Sequence, residues 1–263
     1  MHNIGITLSG GGARGIAHTG VLQCLEDNGI YPEIISGCSA GALIGSLYAQ
    51  GLPPQEIFQF VEKKSLYSIV KMGMPNKGMM ELSYFRQVLQ KNIPHDSFEQ
   101  LKKPFHLSVT NLYKGTSEII SSGKLIDYVI ASASIPLAFK PVHIGKYLYT
   151  DGGVINNLPT EPVRPHCNFL IGVNVNPIKY TEQLAGMWDV GFRVLFLTLM
   201  VNSAENKKAC DILIEPDVEQ YTLFSVNKAK ELYDLGYAAT KRSIPQLKEK
   251  LAKAAGSGTG YTS

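Results

Sequence analysis

The strongest chemical signal in the sequence is a serine set between small residues. Residues 37–41 read Gly-Cys-Ser-Ala-Gly, a G-x-S-x-G pattern, and Ser39 falls between a predicted strand and a predicted helix. There a sharp turn projects the serine hydroxyl, and the helix that follows directs its first N–H groups at an anion. Ser39 is therefore a candidate nucleophile and Ala40 a candidate donor to an oxyanion. A chance glycine-rich turn would look the same, so the motif needs support from elsewhere.

A glycine run after the first predicted strand is the second signal. Residues 10–15 read Gly-Gly-Gly-Ala-Arg-Gly, and backbone without side chains can aim several N–H donors at one anion. Gly10, Gly11 and Gly12 are therefore candidates for an oxyanion hole. The same letters fit a dinucleotide-binding fingerprint, which wants an acidic residue at the end of the second strand. The serine motif occupies that place, so nucleotide binding is the weaker alternative.

Arg14 lies within the glycine run and has three interpretations. It is a solvated loop cation, a ligand for an anionic lipid head group, or a brace for the loop. The sequence leaves these open, and we carry Arg14 as a candidate substrate-binding residue.

An aspartate at a predicted strand end is the third signal. Asp151 is followed by two glycines that let backbone approach it closely, although Asp-Gly is also a routine turn dipeptide. A Ser-His-Asp enzyme would need a histidine as well. Only His166 follows Asp151 in the chain, as the α/β-hydrolase order requires. It lies in a proline-flanked connection that equally suits a surface loop, so the residues alone leave a triad open.

Taken together, the motifs resemble those of the patatin-like phospholipases, a family of lipid acyl hydrolases. The resemblance covers about 240 residues. In this sequence it rests on Gly10–Gly15 as the oxyanion loop, Gly37–Gly41 as the serine turn, 131–136 as an A-S-x-x-x-P block, Asp151-Gly152-Gly153 with Asn156, Asn157 and Pro159 after it, and the closing Leu235-Gly236-Tyr237. One small departure is Cys38, where threonine is frequent in the family.

The resemblance implies a fold, a reaction and a substrate class. The fold is an α/β, three-layer α/β/α arrangement with a mainly parallel central sheet. The reaction is cleavage of lipid acyl esters by a Ser39–Asp151 dyad, without histidine and through an acyl-enzyme intermediate. The family spans phospholipases, galactolipases and wax or triglyceride hydrolases, so the lipid itself stays open. A non-catalytic lipid-binding or signalling domain on the same scaffold is the alternative.

The elements that must position these residues begin as strand, glycine loop, helix, strand, turn and helix. This order predicts a parallel sheet with flanking helices. Apolar runs predict strands at 4–8, 33–36, 105–111, 117–121, 147–150, 169–175 and 212–214. Helical spacing predicts helices from 16 to 28, at 42–48, through most of 55–95, near 123–133 and 184–201, and at 227–243.

Composition limits the classes of protein that fit. The 263 residues are 44% hydrophobic and 18% charged, which predicts one globular domain over 1–253 and a flexible tail over 254–263. A net charge of +3 is too small for a dedicated nucleic-acid binder. The scattered cysteines suggest neither a zinc site nor disulfides, and we expect no cofactor or metal.

The sequence also bears on membranes. It has no signal peptide pattern and no run of about 18 apolar residues, so we expect a cytoplasmic protein that associates with membranes at most peripherally. Residues 55–74 mix apolar side chains with Lys63, Lys64 and Lys71. This segment is either a lid or membrane-surface helix that admits lipid, or an ordinary core helix, with core packing favoured. The oligomeric state is open.

Overall fold

A single mixed sheet organises the chain in a computed structural model that describes residues 3–62, 82–177 and 186–256. The strand order is β5-β6-β3-β2-β1-β7-β8, and β4 pairs with β3 outside this order. The strands are β1 (Ile4–Leu8), β2 (Ile34–Gly37), β3 (Phe105–Asn111), β4 (Thr116–Ile120), β5 (Val142–Ile144), β6 (Tyr147–Asp151), β7 (Phe169–Val173) and β8 (Ile212–Ile214).

The middle of the sheet is parallel and wholly buried. Strands β3, β2, β1, β7 and β8 run in one direction, whereas the β3–β4, β3–β6 and β5–β6 pairs are antiparallel. Every residue of β1, β2 and β7 is buried. Strands covered on both faces need continuous apolar runs, which explains why the sequence shows no alternation there.

Helices flank the sheet and complete the predicted three-layer α/β/α architecture. Their bounds are α1 (Ala17–Asp27), α2 (Ala40–Ala49), α3 (Pro54–Glu62), α4 (Ser83–Asn92), α5 (Ile126–Ser132), α6 (Met187–Val201), α7 (Ala204–Lys208) and α8 (Ala229–Gly256). Helix α2 is buried on all sides, which its small residues permit. In the part of the chain that the structure describes, no helix is both long and apolar enough to span a bilayer.

The structure differs from the sequence predictions at several places, including the unpredicted helix α7 (Ala204–Lys208). Strand β5 was not predicted, because three half-exposed residues carry no usable period. The predicted glycine loop is partly a 3₁₀ turn over Gly12–Ile16. The closing helix continues through Pro245 to Gly256, beyond the predicted end at 243. Proline normally ends a helix, but the buried Ile244 and Leu247 keep this one packed against the core.

The candidate lid segment is only partly described. Helix α3 turns Ile57, Phe58 and Val61 inward, so its described portion packs as a core helix. Residues 63–81, with the rest of the candidate lid, and residues 257–263 of the candidate tail lie outside the described residues. The domain bounds 1–253 and 254–263 therefore stay predictions.

Candidate active site

Ser39 occupies a sharp turn between β2 and α2. Its φ is 52° and its ψ −119°, a left-handed conformation that costs a non-glycine residue roughly 1–3 kcal/mol. The turn also needs glycine nearby, because a Cβ on Gly41 would lie 2.2 Å from the Leu8 carbonyl oxygen. The motif thus has a physical reason for its spacing: small residues permit a tight turn that lifts one hydroxyl above the carboxyl edge of the sheet.

Ser132 holds this turn in place. Its hydroxyl accepts a hydrogen bond from the Ser39 backbone N–H at 2.9 Å and donates to the Ser108 carbonyl on β3 at 2.8 Å. Ser132 belongs to the A-S-x-x-x-P block, so that block fixes the nucleophile turn to the sheet. The Ser39 N–H is consequently engaged by Ser132, while Ala40 begins α2 directly beyond the serine.

Asp151 ends β6 and reaches the same edge. Its backbone N–H donates to the Ser134 carbonyl at 3.0 Å, which ties it to the block that holds Ser39. Its Oδ1 accepts the Gly153 N–H at 2.8 Å and faces the Cys38 thiol at 3.6 Å. The side chain is buried, with 5% of the residue exposed.

The electrostatics of Asp151 suit a base. Burial raises the pKa of Asp151 to about 6, while hydrogen bonding from Ser39, the Gly153 N–H and Cys38 favours the carboxylate and acts in the opposite direction. Burial beside this carboxylate raises the pKa of the Cys38 thiol well above its ordinary value, so Cys38 stays protonated and donates. A carboxylate with a pKa near 6 is a better proton acceptor than a solvated one, yet it is mostly ionised at neutral pH.

The glycine loop faces the serine from β1. The Gly10 N–H donates to the Asn157 carbonyl at 3.2 Å, and the Gly10 carbonyl accepts from Asn176 Nδ2 at 2.5 Å. Gly12 has a φ of 54°, a conformation that favours glycine. Both backbone polar groups of Gly10 are therefore already hydrogen-bonded, whereas Gly11 and Gly12 line the space in front of Ser39.

Two connected spaces meet at Ser39. The first, which we name the serine cleft, brings Ser39 and Asp151 together and is lined by Gly11, Gly12, Ser39, Ile135, Pro136, Asp151, Val154, Asn157 and Leu223. The second, the apolar cavity, has a volume of about 100 Å³ and is lined almost wholly by aliphatic and aromatic side chains, including Ile16, Leu43, Ile44, Val61, Leu82, Phe85 and Phe139. Gly12, Ser39, Ile135 and Leu223 border both.

Arg14 is a buried brace in this structure and not a solvated cation. Its Nε donates to the Tyr221 carbonyl at 2.7 Å, and its guanidinium lies 4.8 Å from the centre of the Phe196 ring. Burial lowers its pKa to about 10. Among the described residues, Arg14 lines neither the serine cleft nor the apolar cavity. This geometry favours the bracing interpretation, and substrate binding by Arg14 stays a prediction.

His166 lies away from Ser39 and Asp151. It is exposed, it precedes β7, and its carbonyl accepts from Asn3 Nδ2 just before β1. It therefore sits at the amino edge of the parallel strands, whereas Ser39 follows the carboxyl end of β2. Within the described ranges, no histidine lines the serine cleft or the apolar cavity.

Leu223 is a site residue that the sequence did not reveal. It borders both the serine cleft and the apolar cavity. Its carbonyl accepts the Ala13 N–H at 2.8 Å, so a residue distant in sequence holds the glycine loop in place. It lies in an irregular connection between β8 and α8 with no motif around it. No sequence pattern could have located it, because its position depends on tertiary packing alone.

Comparison with known proteins places this geometry in a family. A model of the patatin-like phospholipase domain matches residues 6–164. Lysophospholipases NTE1 of Kluyveromyces lactis and Saccharomyces cerevisiae are both 28% identical, over 94% and 89% of this chain. The chain spans only 19% and 16% of their lengths. The solved structure of VipD from Legionella pneumophila has a TM-score of 0.55 at 15% identity and covers 93% of this chain and 67% of its own. The chain belongs to the patatin-like phospholipase family.

Proposed function

We propose that this chain is a lipid acyl hydrolase that cleaves acyl esters with a Ser39–Asp151 dyad. The observation that carries the proposal is the serine cleft, because it joins a strained serine, a buried carboxylate and two backbone glycines beside an apolar cavity. Each component has a role in ester cleavage: nucleophile, base, oxyanion donors and a space for an acyl chain.

Acylation follows from this arrangement. Asp151 accepts the Ser39 hydroxyl proton as Oγ adds to the ester carbonyl carbon, and the carbonyl oxygen becomes an oxyanion. The N–H groups of Gly11 and Gly12, with Ala40 at the start of α2, stabilise that charge. Collapse of the tetrahedral species breaks the bond to the alcohol, which takes the proton from Asp151 and departs. Gly10, whose N–H already donates to Asn157, supports the loop.

Deacylation uses the same groups with water as the nucleophile. Asp151 takes a proton from water as the water attacks the acyl-serine, and returns it to Ser39 when the acid leaves. The leaving alcohol of an ester needs less help from a general acid than the leaving amine of an amide does. The dyad therefore suits esters, whose alcohol leaves more easily than an amine does.

The substrate class follows from the apolar cavity and from the relatives. Aliphatic and aromatic side chains from α2, α3 and the loop after α5 enclose the cavity beside Ser39, an environment that favours an acyl chain over a polar group. The fungal relatives are named lysophospholipases. We therefore propose a glycerophospholipid ester, with a lysophospholipid as the first substrate to test.

A membrane surface is the proposed source of that lipid, and α6 is the proposed contact. Among the α6 residues whose burial the structure describes, five large apolar ones are exposed: Met187 (84%), Val190 (37%), Val194 (58%), Leu197 (40%) and Val201 (74%). Their spacing of three and four residues puts them on one helix face. An exposed apolar stripe of this kind marks an interaction site.

Helix α6, which carries the stripe, packs beside residues at or next to the wall of the serine cleft. Helix α6 packs beside Leu137, which is 48% exposed and follows two residues of the cleft wall. On its other side, the buried Phe196 contacts Leu223, which borders the cleft. A bilayer seated on the stripe would therefore lie at the entrance, where a lipid could pass to Ser39 without crossing water.

Labelling with a fluorophosphonate tests the proposed chemistry. The probe reacts with an activated serine, so we expect stoichiometric labelling of the wild-type protein at Ser39 and none of Ser39→Ala, with peptide mass spectrometry to locate the adduct. A folded wild-type protein that resists the probe would favour the non-catalytic lipid-binding alternative. Binding of a dinucleotide to residues 10–15 would favour the nucleotide alternative.

A further inference from the structure

The side chain of Asn157 has no role in the fold that the structure reveals. The residue is 1% exposed, yet within the described chain neither Oδ1 nor Nδ2 has a hydrogen-bond partner. Buried amides are normally satisfied, and an unsatisfied one costs free energy. Asn157 also lines the serine cleft. An orphaned amide at that position points to a ligand that enters the cleft.

The amide lies close to the reacting hydroxyl. A Cβ built on Gly10 would be 2.5 Å from Asn157 Oδ1 and 3.0 Å from Ser39 Cβ, so both side chains border the same point. The Asn157 backbone is fixed there, because its carbonyl accepts the Gly10 N–H at 3.2 Å. The amide oxygen and nitrogen are interchangeable by rotation, and either can be turned towards the cleft.

We propose that the Asn157 side chain is a third oxyanion donor, acting through Nδ2–H with the backbone N–H groups of Gly11 and Gly12. This inference rests on the proposed function. As Ser39 Oγ adds to the ester carbon and its proton passes to Asp151, the carbonyl oxygen becomes negative and accepts the amide hydrogen bond. Asn157 exchanges no proton. The hydrogen bond from Nδ2 stabilises the transition state more than the ground state, because the carbonyl oxygen becomes charged there and the cleft excludes most water.

The proposal predicts an effect on catalysis and none on folding, because the Asn157 amide makes no hydrogen bond within the described part of the free protein. Asn157→Leu keeps the branched shape and the number of heavy atoms of the side chain, and it removes both orphaned polar atoms. We expect its kcat to fall by about 100- to 1,000-fold with KM little changed, which is the loss of one oxyanion donor. We expect its melting temperature to equal or exceed that of the wild type. Asn157→Ala is the second variant, and its kcat should fall by a similar factor.

Asn156→Leu is the matched control. The Asn156 side chain donates to Glu161 and accepts from Asn206 Nδ2 at 3.0 Å, so its amide serves the fold. Its loss should lower the melting temperature and leave kcat within a few-fold of wild type. Asn157→Leu should therefore affect catalysis without loss of stability, and Asn156→Leu should affect stability with little loss of catalysis.

Three outcomes would overturn the proposal. An Asn157→Leu protein with wild-type kcat and a lowered melting temperature would assign the amide to the fold. A loss confined to lysophospholipid, with a p-nitrophenyl ester unaffected, would mean that Asn157 binds the alcohol portion, because an oxyanion donor serves both esters equally. Wild-type labelling rates of Asn157→Leu by the fluorophosphonate would also exclude the role. Failure of the proposed function is distinct, because the wild-type Ser39 would then not label.

Discussion

The two edges of the parallel sheet are built in opposite ways. At the amino edge, Arg164 pairs with Asp211 at 2.5 Å, and Asp211 also accepts the Leu170 N–H at 2.7 Å. Polar groups there satisfy one another in solvent. At the carboxyl edge, Ser39 has a strained backbone, Asp151 is a buried carboxylate and Asn157 has an orphaned amide. The contrast places the residues with strained, buried or unsatisfied groups at the edge where we propose the chemistry.

Physical reasons favour the carboxyl edge for the proposed chemistry. Helices that follow parallel strands begin there, so their free N–H groups and positive dipole ends gather at one side of the sheet. Buried strands β1 and β2 anchor the glycine loop and the serine turn, and contacts from Ser132 and Leu223 hold both in place. Strain and burial at this edge are sustained by the core behind it.

Ser39→Ala should have the largest effect on activity. Only a hydroxyl is removed from a turn whose glycines and Ser132 contact remain, so the melting temperature should change little. Hydrolysis of lysophospholipid and of a p-nitrophenyl ester should fall by roughly 10⁴-fold or more, as expected on loss of a nucleophile. A variant that keeps a few per cent of wild-type turnover would reject Ser39 as the nucleophile.

Asp151→Asn should lose almost as much activity while it gains stability. The amide cannot accept the Ser39 proton, so we expect at least a 10³-fold fall in kcat. In the native protein the pKa of Asp151 is raised from 3.8 to about 6. The ionised carboxylate is therefore destabilising at neutral pH, and the neutral amide should increase the free energy of unfolding by on the order of 2 kcal/mol. Denaturant titration measures this difference.

The same pKa shift predicts two pH dependences. Between pH 3.8 and about 6 the native state holds more protons at Asp151 than the unfolded state, so this group's contribution to stability falls as pH rises through that window. Activity runs the other way, because the base must be ionised: kcat/KM should rise towards a plateau above pH 6. Comparison of wild type with Asp151→Asn isolates the stability term, and a flat wild-type rate profile from pH 5 to 7 would contradict the assignment.

Gly11→Val tests the glycine loop as a source of donors. A Cβ there would lie 2.5 Å from Val175 Cγ2, so either the glycine loop or the Val175 side chain must shift. Displacement of the loop would move its N–H donors while Ser39 and Asp151 stay in place. We expect turnover to fall by about 100-fold or more. Gly115→Val is a matched control, because a Cβ at Gly115 meets nothing within 4 Å, although its positive φ of 67° adds backbone strain. Equal activity of the two variants would weaken the oxyanion assignment.

The sequence predicted the motifs at the carboxyl edge of the sheet better than it predicted the residues that pack around them. Patterns around Ser39, Asp151 and residues 10–15 are local, since tight turns and bare backbone demand glycine at fixed spacing, and they led to the family. The parallel strands were equally visible as buried apolar runs. Leu223 and the orphaned amide of Asn157 were not visible, and the sequence could not choose between the three interpretations of Arg14, because each depends on distant residues brought together by packing. The sequence motif includes Asn157, but it does not reveal that the side-chain amide has no hydrogen-bond partner among the described residues of the fold.

The α6 stripe is a third surface to compare with the two edges of the sheet. We expect a substitution in the stripe to affect hydrolysis of membrane lipids and not of dispersed substrates. Val194→Asp should leave hydrolysis of a dispersed p-nitrophenyl ester unchanged and lower hydrolysis of phospholipid in vesicles about tenfold, because a charge at a membrane interface opposes insertion. Vesicle co-sedimentation measures binding directly. Lys208→Gln, on the neighbouring α7, controls for the same change of one unit in net charge. If Val194→Asp altered only the oligomeric mass, the stripe would be a contact between copies of the chain.

His166→Ala should have the smallest effect and tests the amino edge itself. His166 is exposed and lies at the edge opposite Ser39, and its hydrogen bonds to described residues are backbone ones: its carbonyl accepts from Asn3, and its N–H donates to the Val163 carbonyl at 2.9 Å. Removal of the ring should therefore leave kcat, KM and the melting temperature within a few-fold or a few degrees of wild type. Steady-state kinetics beside Asp151→Asn makes the comparison direct. A folded but inactive His166→Ala protein would replace the dyad with a triad, and the amino edge would have to supply catalysis from across the sheet.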